Sequence, residues 1–77
     1  MTGKLTIHYD RVGDILYLQR CPPYAEQESE ELGDDVVARM NPSTGEIEIL
    51  EILFFSERGG PGGSFDLPVT VELRPAV

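Results

Sequence analysis

His8, Asp10 and Asp14 are the first residues to weigh for chemistry. On an extended chain His8 and Asp10 share a face, and Asp14 begins the strand that returns beside them. One imidazole and two carboxylates suit a metal that takes nitrogen and oxygen ligands, or a small hydrolytic site. The competing reading gives Asp10 to the backbone of the following turn and leaves His8 solvated on a polar face, and it is the preferred one. Cys21 as a nucleophile would need a base, and His8 is the single histidine on offer. Standing just before Pro22-Pro23, Cys21 reads instead as an incidental residue at a strand end. A lone cysteine also excludes an internal disulfide and a thiolate metal cluster. The chain is therefore expected to be no enzyme and to need no metal or cofactor.

Glu51 is the other acid that stands out. It lies between Leu50 and Ile52, and on its own strand face between Ile49 and Leu53. A carboxylate there is costly unless paired, and Arg39 on the neighbouring strand is the expected partner. The alternative is a β-bulge that turns Glu51 out to solvent. Either way Glu51 is read as a structural acid.

Six more acids gather in one stretch, with Glu26, Glu28, Glu30, Glu31, Asp34 and Asp35 falling within ten residues. Their spacing does not match a calcium loop, and no glycine sits at the turn such a loop requires. The stretch is read as a solvated face, with docking of a basic partner as the sharper alternative. Gly59-Gly60-Pro61-Gly62-Gly63 lacks the lysine and the strand-to-helix setting of a phosphate loop, so it is read as a linker.

The acidic bias runs through the whole composition. Fourteen acidic and six basic residues give a net charge of −8. Such a chain is repelled by nucleic acid and by anionic membranes, and neither is expected as a direct partner. A hydrophobic content of 40% suits a folded domain rather than a disordered one. No apolar run is long enough to span a bilayer, and Met1-Thr2-Gly3-Lys4 does not open a signal peptide. The expected compartment is the cytoplasm.

These residues must be positioned by short strands. In Lys4–Asp10, Leu5, Ile7 and Tyr9 alternate with Thr6, His8 and Asp10, and Ile15–Arg20 returns after a tight loop. Residues 4–20 thus predict a β-hairpin, stopped by the two prolines. Residues 24–35 predict an exposed, extended segment, at most a short edge strand. Val36–Met40, the turn Asn41–Gly45 and the long run 46–55 predict a second hairpin over 36–55. Residues 56–66 read as the Gly-rich linker, and 67–75 as a last strand in which Val69, Val71 and Leu73 alternate with polar residues. The fold expected over 1–77 is one mainly β domain, a small meander-like antiparallel sheet of four to five strands with little or no helix. In the long strand, Leu50, Ile52 and Phe54 are expected on one face, and Ile47, Ile49, Leu53 and Phe55 on the other. That is too much apolar surface for one thin sheet, so the last strand or a second copy must cover part of it, and a homodimer is expected.

The order and spacing of certain pieces resemble a known family. Tyr9-Asp10 is followed by Asp14-Ile15-Leu16-Tyr17-Leu18, then Ser29-Glu30-Glu31-Leu32-Gly33-Asp34-Asp35-Val36-Val37. Gly45-Glu46-Ile47, Leu50-Glu51-Ile52-Leu53 and Ser56 complete the set. Over residues 5–57 the chain resembles the small prokaryotic domain-of-unknown-function family 2283. It departs from the family pattern at Ile49, where a small residue is usual, at Phe54-Phe55, where the pair is usually less apolar, and in the Gly-rich linker. The resemblance implies a small β-rich domain, with no catalytic residues to carry over. It also implies that some members serve as the antitoxin half of a pair with a small toxin. The leading expectation is an acidic protein-interaction domain, antitoxin-like in its sharpest form, using the acidic stretch with Phe54 and Phe55. The alternatives are a metal-binding or hydrolytic protein built on His8, Asp10 and Asp14, and a purely structural oligomerising domain.

Overall fold

A computed structural model describes residues 3–59 and 63–76. Five antiparallel strands form one sheet: β1 (Thr6–Asp10), β2 (Ile15–Gln19), β3 (Glu28–Gly33), β4 (Val36–Met40) and β5 (Ile47–Leu53). Their order across the sheet is β1-β2-β5-β4-β3, so β3, β4 and β5 make a meander and the β1–β2 hairpin is added along the free side of β5. The most apolar strand thus takes the centre, where both faces lose water. The described residues contain no α-helix, only a 3-10 turn at Phe55–Glu57.

Most of the core lies on one face, with Ile49 buried alone on the other. Val36, Ala38, Leu50 and Ile52 are buried on the first, with Leu18, Leu32, Met40 and Ile47 packed around them. Two register shifts interrupt the ladders, and one of them brings to this face a residue that strict alternation would turn away. That one, opposite Arg39-Met40, skips Glu48 and sets Ile47 against Met40. The other falls between Glu31 and Gly33. Leu32, two residues after Glu30 opposite Ala38, is on the core face by alternation itself and packs there. Ile47 therefore packs with Leu50, not on the opposite face with Ile49 as alternation predicts.

Two expectations about the end of the chain are corrected. Residues 67–75 form no strand. They run irregularly, and Leu67 and Val69 cover the core while Val71 and Leu73 stay in solvent. The alternation is present, but Pro68 and Pro75 offer no N–H to a ladder, and the ladder needs both partners. The long strand also stops at Leu53, not at residue 55. Phe54 adopts a left-handed conformation (φ 54°), and the chain turns into the 3-10 segment. The linker expected over 56–66 accordingly begins in an ordered turn, and its middle, residues 60–62, lies outside the described residues.

Candidate functional site

The β3–β4 turn builds the most distinctive surface of the molecule. Asp34 and Asp35 are its two central residues, both left-handed (φ 52° and 58°), which is the geometry that a two-residue hairpin demands. Short polar side chains tolerate that conformation better than most, so the turn presents two adjacent carboxylates at its tip. Across from them the left-handed Phe54 breaks β5 and throws its ring outward, 53% exposed. Between the two lies an open cleft of about 690 Å³, lined by Asp34, Asp35, Phe54, Glu57, Arg58, Phe65 and Asp66.

Arg58 spans this cleft. Its Nε donates to the Leu53 carbonyl at 3.1 Å and its Nη2 to the Asp34 carbonyl, while the guanidinium lies 5.2 Å from the centre of the Phe65 ring. The chain's own cation thus demonstrates what the cleft satisfies: a planar donor held between an aromatic face and backbone oxygens. The carboxylates of Asp34, Asp35, Glu57 and Asp66 form no ion pair among the described residues.

The acidic stretch leads into this cleft. Glu28, Glu30 and Glu31 stand exposed along β3, an edge of the sheet, and Glu26 stands exposed just before it. Phe55 does not join them. It turns into an aromatic cluster, edge-on to Tyr9 and Phe65 with ring centres 5.7 and 6.2 Å apart. Sequence reasoning selected Asp34, Asp35 and Phe54, and missed Glu57, Arg58, Phe65 and Asp66. No local pattern marks those four, because only the turn at Phe54 folds the post-strand segment back against the hairpin tip.

His8, Asp10 and Asp14 are given separate tasks. Asp10 Oδ1 accepts the Val12 and Gly13 amides at 3.0 and 3.2 Å, closing the turn. Asp14 accepts the Tyr9 hydroxyl at 2.7 Å, the Ser56 amide at 2.9 Å and the Ser56 hydroxyl at 2.6 Å. Those bonds, the Ser56 hydroxyl first, hold the Asp14 carboxyl below its ordinary range, and the same contact raises Tyr9. His8 stacks on Tyr17 at 5.9 Å. Among the described residues no three of His, Cys, Asp and Glu come together as a metal site would require.

Glu51 is paired rather than bulged out. Arg39 Nε donates to its Oε2 on the face opposite the core, with the Glu51 side chain 12% and the Arg39 side chain 33% exposed. Nearby, the connection from β2 to β3 is tied down on Glu48, the skipped residue. Its Oε1 accepts the Tyr24 hydroxyl at 2.6 Å and Gln27 Nε2 at 3.0 Å. The Tyr24 bond pushes that phenol up to about 12 and, with Gln27, draws Glu48 down.

The family model described as "Protein of unknown function (DUF2283)" matches residues 6–56. The chain belongs to that family. No curated protein and no solved structure matches it. The DUF2283 match takes in all five strands, the Asp34-Asp35 tip and Phe54. Glu57, Arg58, Phe65 and Asp66 lie beyond it, so the far wall of the cleft is supplied by residues outside the matched segment. Among the described residues no helix is long and apolar enough to cross a membrane.

Proposed function

We propose that this DUF2283 member is a non-catalytic interaction domain that receives a small basic protein in the cleft between Asp34-Asp35 and Phe54. The observation that carries the reading is the composition of that cleft, where carboxylates without an ion partner among the described residues surround two solvent-exposed phenylalanines. An arginine or lysine of a partner gains charge attraction from the acids and contact from the rings, and an aromatic anchor ringed by charge is how interfaces concentrate their binding energy. Glu28, Glu30 and Glu31 along β3 extend the negative field and steer a basic partner in. In its sharpest form the partner is a small cytoplasmic toxin whose basic RNA-binding cleft is covered by this edge.

The test is capture of partners by the tagged chain from native lysate at low ionic strength, followed by elution with rising salt. A small basic protein should be retained, released as salt screens the field, and lost to Phe54→Ser and to Asp35→Asn, both of which suit the local backbone less badly than larger changes. Retention of no basic protein, or equal retention by both variants, would sink the proposal.

A further inference from the structure

The two edges of the sheet are unlike. β3 carries Glu28, Glu30 and Glu31 and a register shift, and charge and bulges are the devices that keep an edge from adding strands. β1, the opposite edge, has no register shift and only one acid, Asp10 at its end. It pairs with β2 without a shift from Thr6 to Asp10, and the apolar residues on its core face are left in water: Ile7 64%, Leu5 50% and Tyr9 39% exposed. They continue the apolar surface of Leu16 and Leu18 up to a free row of backbone donors and acceptors.

We propose that β1 pairs antiparallel with β1 of a second copy about a two-fold axis through Ile7, joining two sheets into one of ten strands. This is independent of the cleft described above, which lies between the β3–β4 tip and the end of β5. The occupant is argued from self-complementarity. With Ile7 on the axis, Leu5 stands opposite Tyr9 of the second copy, Thr6 opposite His8, and Lys4 opposite Asp10, and symmetry repeats each pair. Opposed residues of antiparallel strands share a face, so Leu5, Ile7 and Tyr9 of both copies merge into one apolar patch. Lys4 meets a carboxylate at each end, and Asp10 uses only Oδ1 for its turn, its Oδ2 having no hydrogen bond among the described residues. The edge is also where two copies of a −8 chain repel least, since Lys4 and Arg11 outnumber Asp10 between Gly3 and Gly13. Any other register loses the double Lys4–Asp10 pairing, and pairing through β3 would oppose carboxylate to carboxylate.

The register is testable by crosslinking. Across an antiparallel pair the Cα atoms of opposed residues lie about 4.5–5.5 Å apart, within reach of a disulfide. Two copies of residue 5 in this register would be offset by about 13 Å along the strands, well beyond that reach. In a Cys21→Ser background of the full chain, Ile7→Cys should oxidise rapidly to a covalent dimer and Leu5→Cys, equally accessible, should not. The wild-type chain should sediment with twice its 8.5 kDa mass at high protein concentration, and Ile7→Lys, which sets like charges together on the axis, should sediment as a monomer. A monomeric wild type, or crosslinking at residue 5 as fast as at residue 7, would overturn the proposal. Should Ile7→Lys fail to fold, the two cysteine variants decide.

Discussion

Removing Arg39 leaves a carboxylate in the middle of the sheet with nothing to answer it. Glu51 has Arg39 as its one hydrogen-bond donor among the described residues. Its cross-strand neighbours are Tyr17 and Val37. At 12% exposure the Glu51 side chain is nearly out of water, while Arg39 at 33% keeps part of its hydration. Exposed ion pairs contribute about 0–1 kcal/mol, and stranding one partner of a fully buried pair costs about 3–5 kcal/mol. The geometry falls between those limits, so Arg39→Met is expected to lose about 2 kcal/mol. For a domain of this size that is a fall in Tm of roughly 8–16 °C, a large share of a total stability of about 4–12 kcal/mol. Glu51→Gln, which removes the charge and keeps an acceptor, should cost less. The double variant Arg39→Met/Glu51→Leu should recover to within about 1 kcal/mol of wild type, because the stranded charge is gone and apolar surface fills its place. Urea unfolding followed by far-UV circular dichroism, at one fixed protein concentration, reads all three. The reasoning is refuted if Arg39→Met costs less than about 0.5 kcal/mol, or if the double variant is as unstable as Arg39→Met, since the loss would then be packing rather than charge.

Stability against pH should form a plateau with two shoulders. Asp14 and Glu48 are held below their ordinary values of 3.8 and 4.5, so the unfolded chain takes up protons first and stability falls as pH drops below that range. Tyr24 is raised from 10.0 to about 12, so its contribution is complete below pH 10 and is lost as pH climbs through the folded value. Tyr9 is raised as well, so Tyr24→Phe should shrink the alkaline shoulder in a pH series of urea midpoints without abolishing it, and an unchanged shoulder would exclude Tyr24 as a source. Ile52→Ala removes a side chain that is 1% exposed at the centre of the sheet, and should cost about 3 kcal/mol, a larger loss than Arg39→Met. Phe54→Ala, at 53% exposure, should cost less than about 0.5 kcal/mol in the same urea unfolding, leaving partner binding as its main effect.

The strands were legible where a sequence period of two met a turn with its own chemistry. Leu5–Tyr9 and Ile15–Leu18 alternate around a short Gly-containing loop, and Asn41–Gly45 closes the second hairpin, with Asn41 Oδ1 accepting the Ser43 and Thr44 amides. Glu51 was legible too, because a carboxylate among Ile and Leu has few physical outcomes and Arg39 stood one strand away. What alternation cannot carry is a change of register. The skipped Glu48 reverses the pattern beyond it, and only the packing of Ile47 against Val36, Ala38 and Leu50 rewards the shift. Phe54 was illegible for a related reason. Its left-handed backbone is unfavourable for phenylalanine itself and is held from outside, by Asp14 accepting the Phe55 amide on its carbonyl and Ser56 on its side chain. The cleft depends on that turn, so its far wall had no signature in the sequence.

The pairing of β2 with β5 sets the order in which this chain becomes a sheet. Every other pairing joins neighbours in sequence, whereas this one sets Gln19 against Ile49 and Ile15 against Leu53. On the ribosome the first hairpin is complete long before its second partner exists. The inner side of β2, with Ile15, Leu16 and Leu18, must wait until Ile47–Leu53 has been made. Closing that long loop is the entropically costly step, and the nascent hairpin stays open to strangers for as long as it takes.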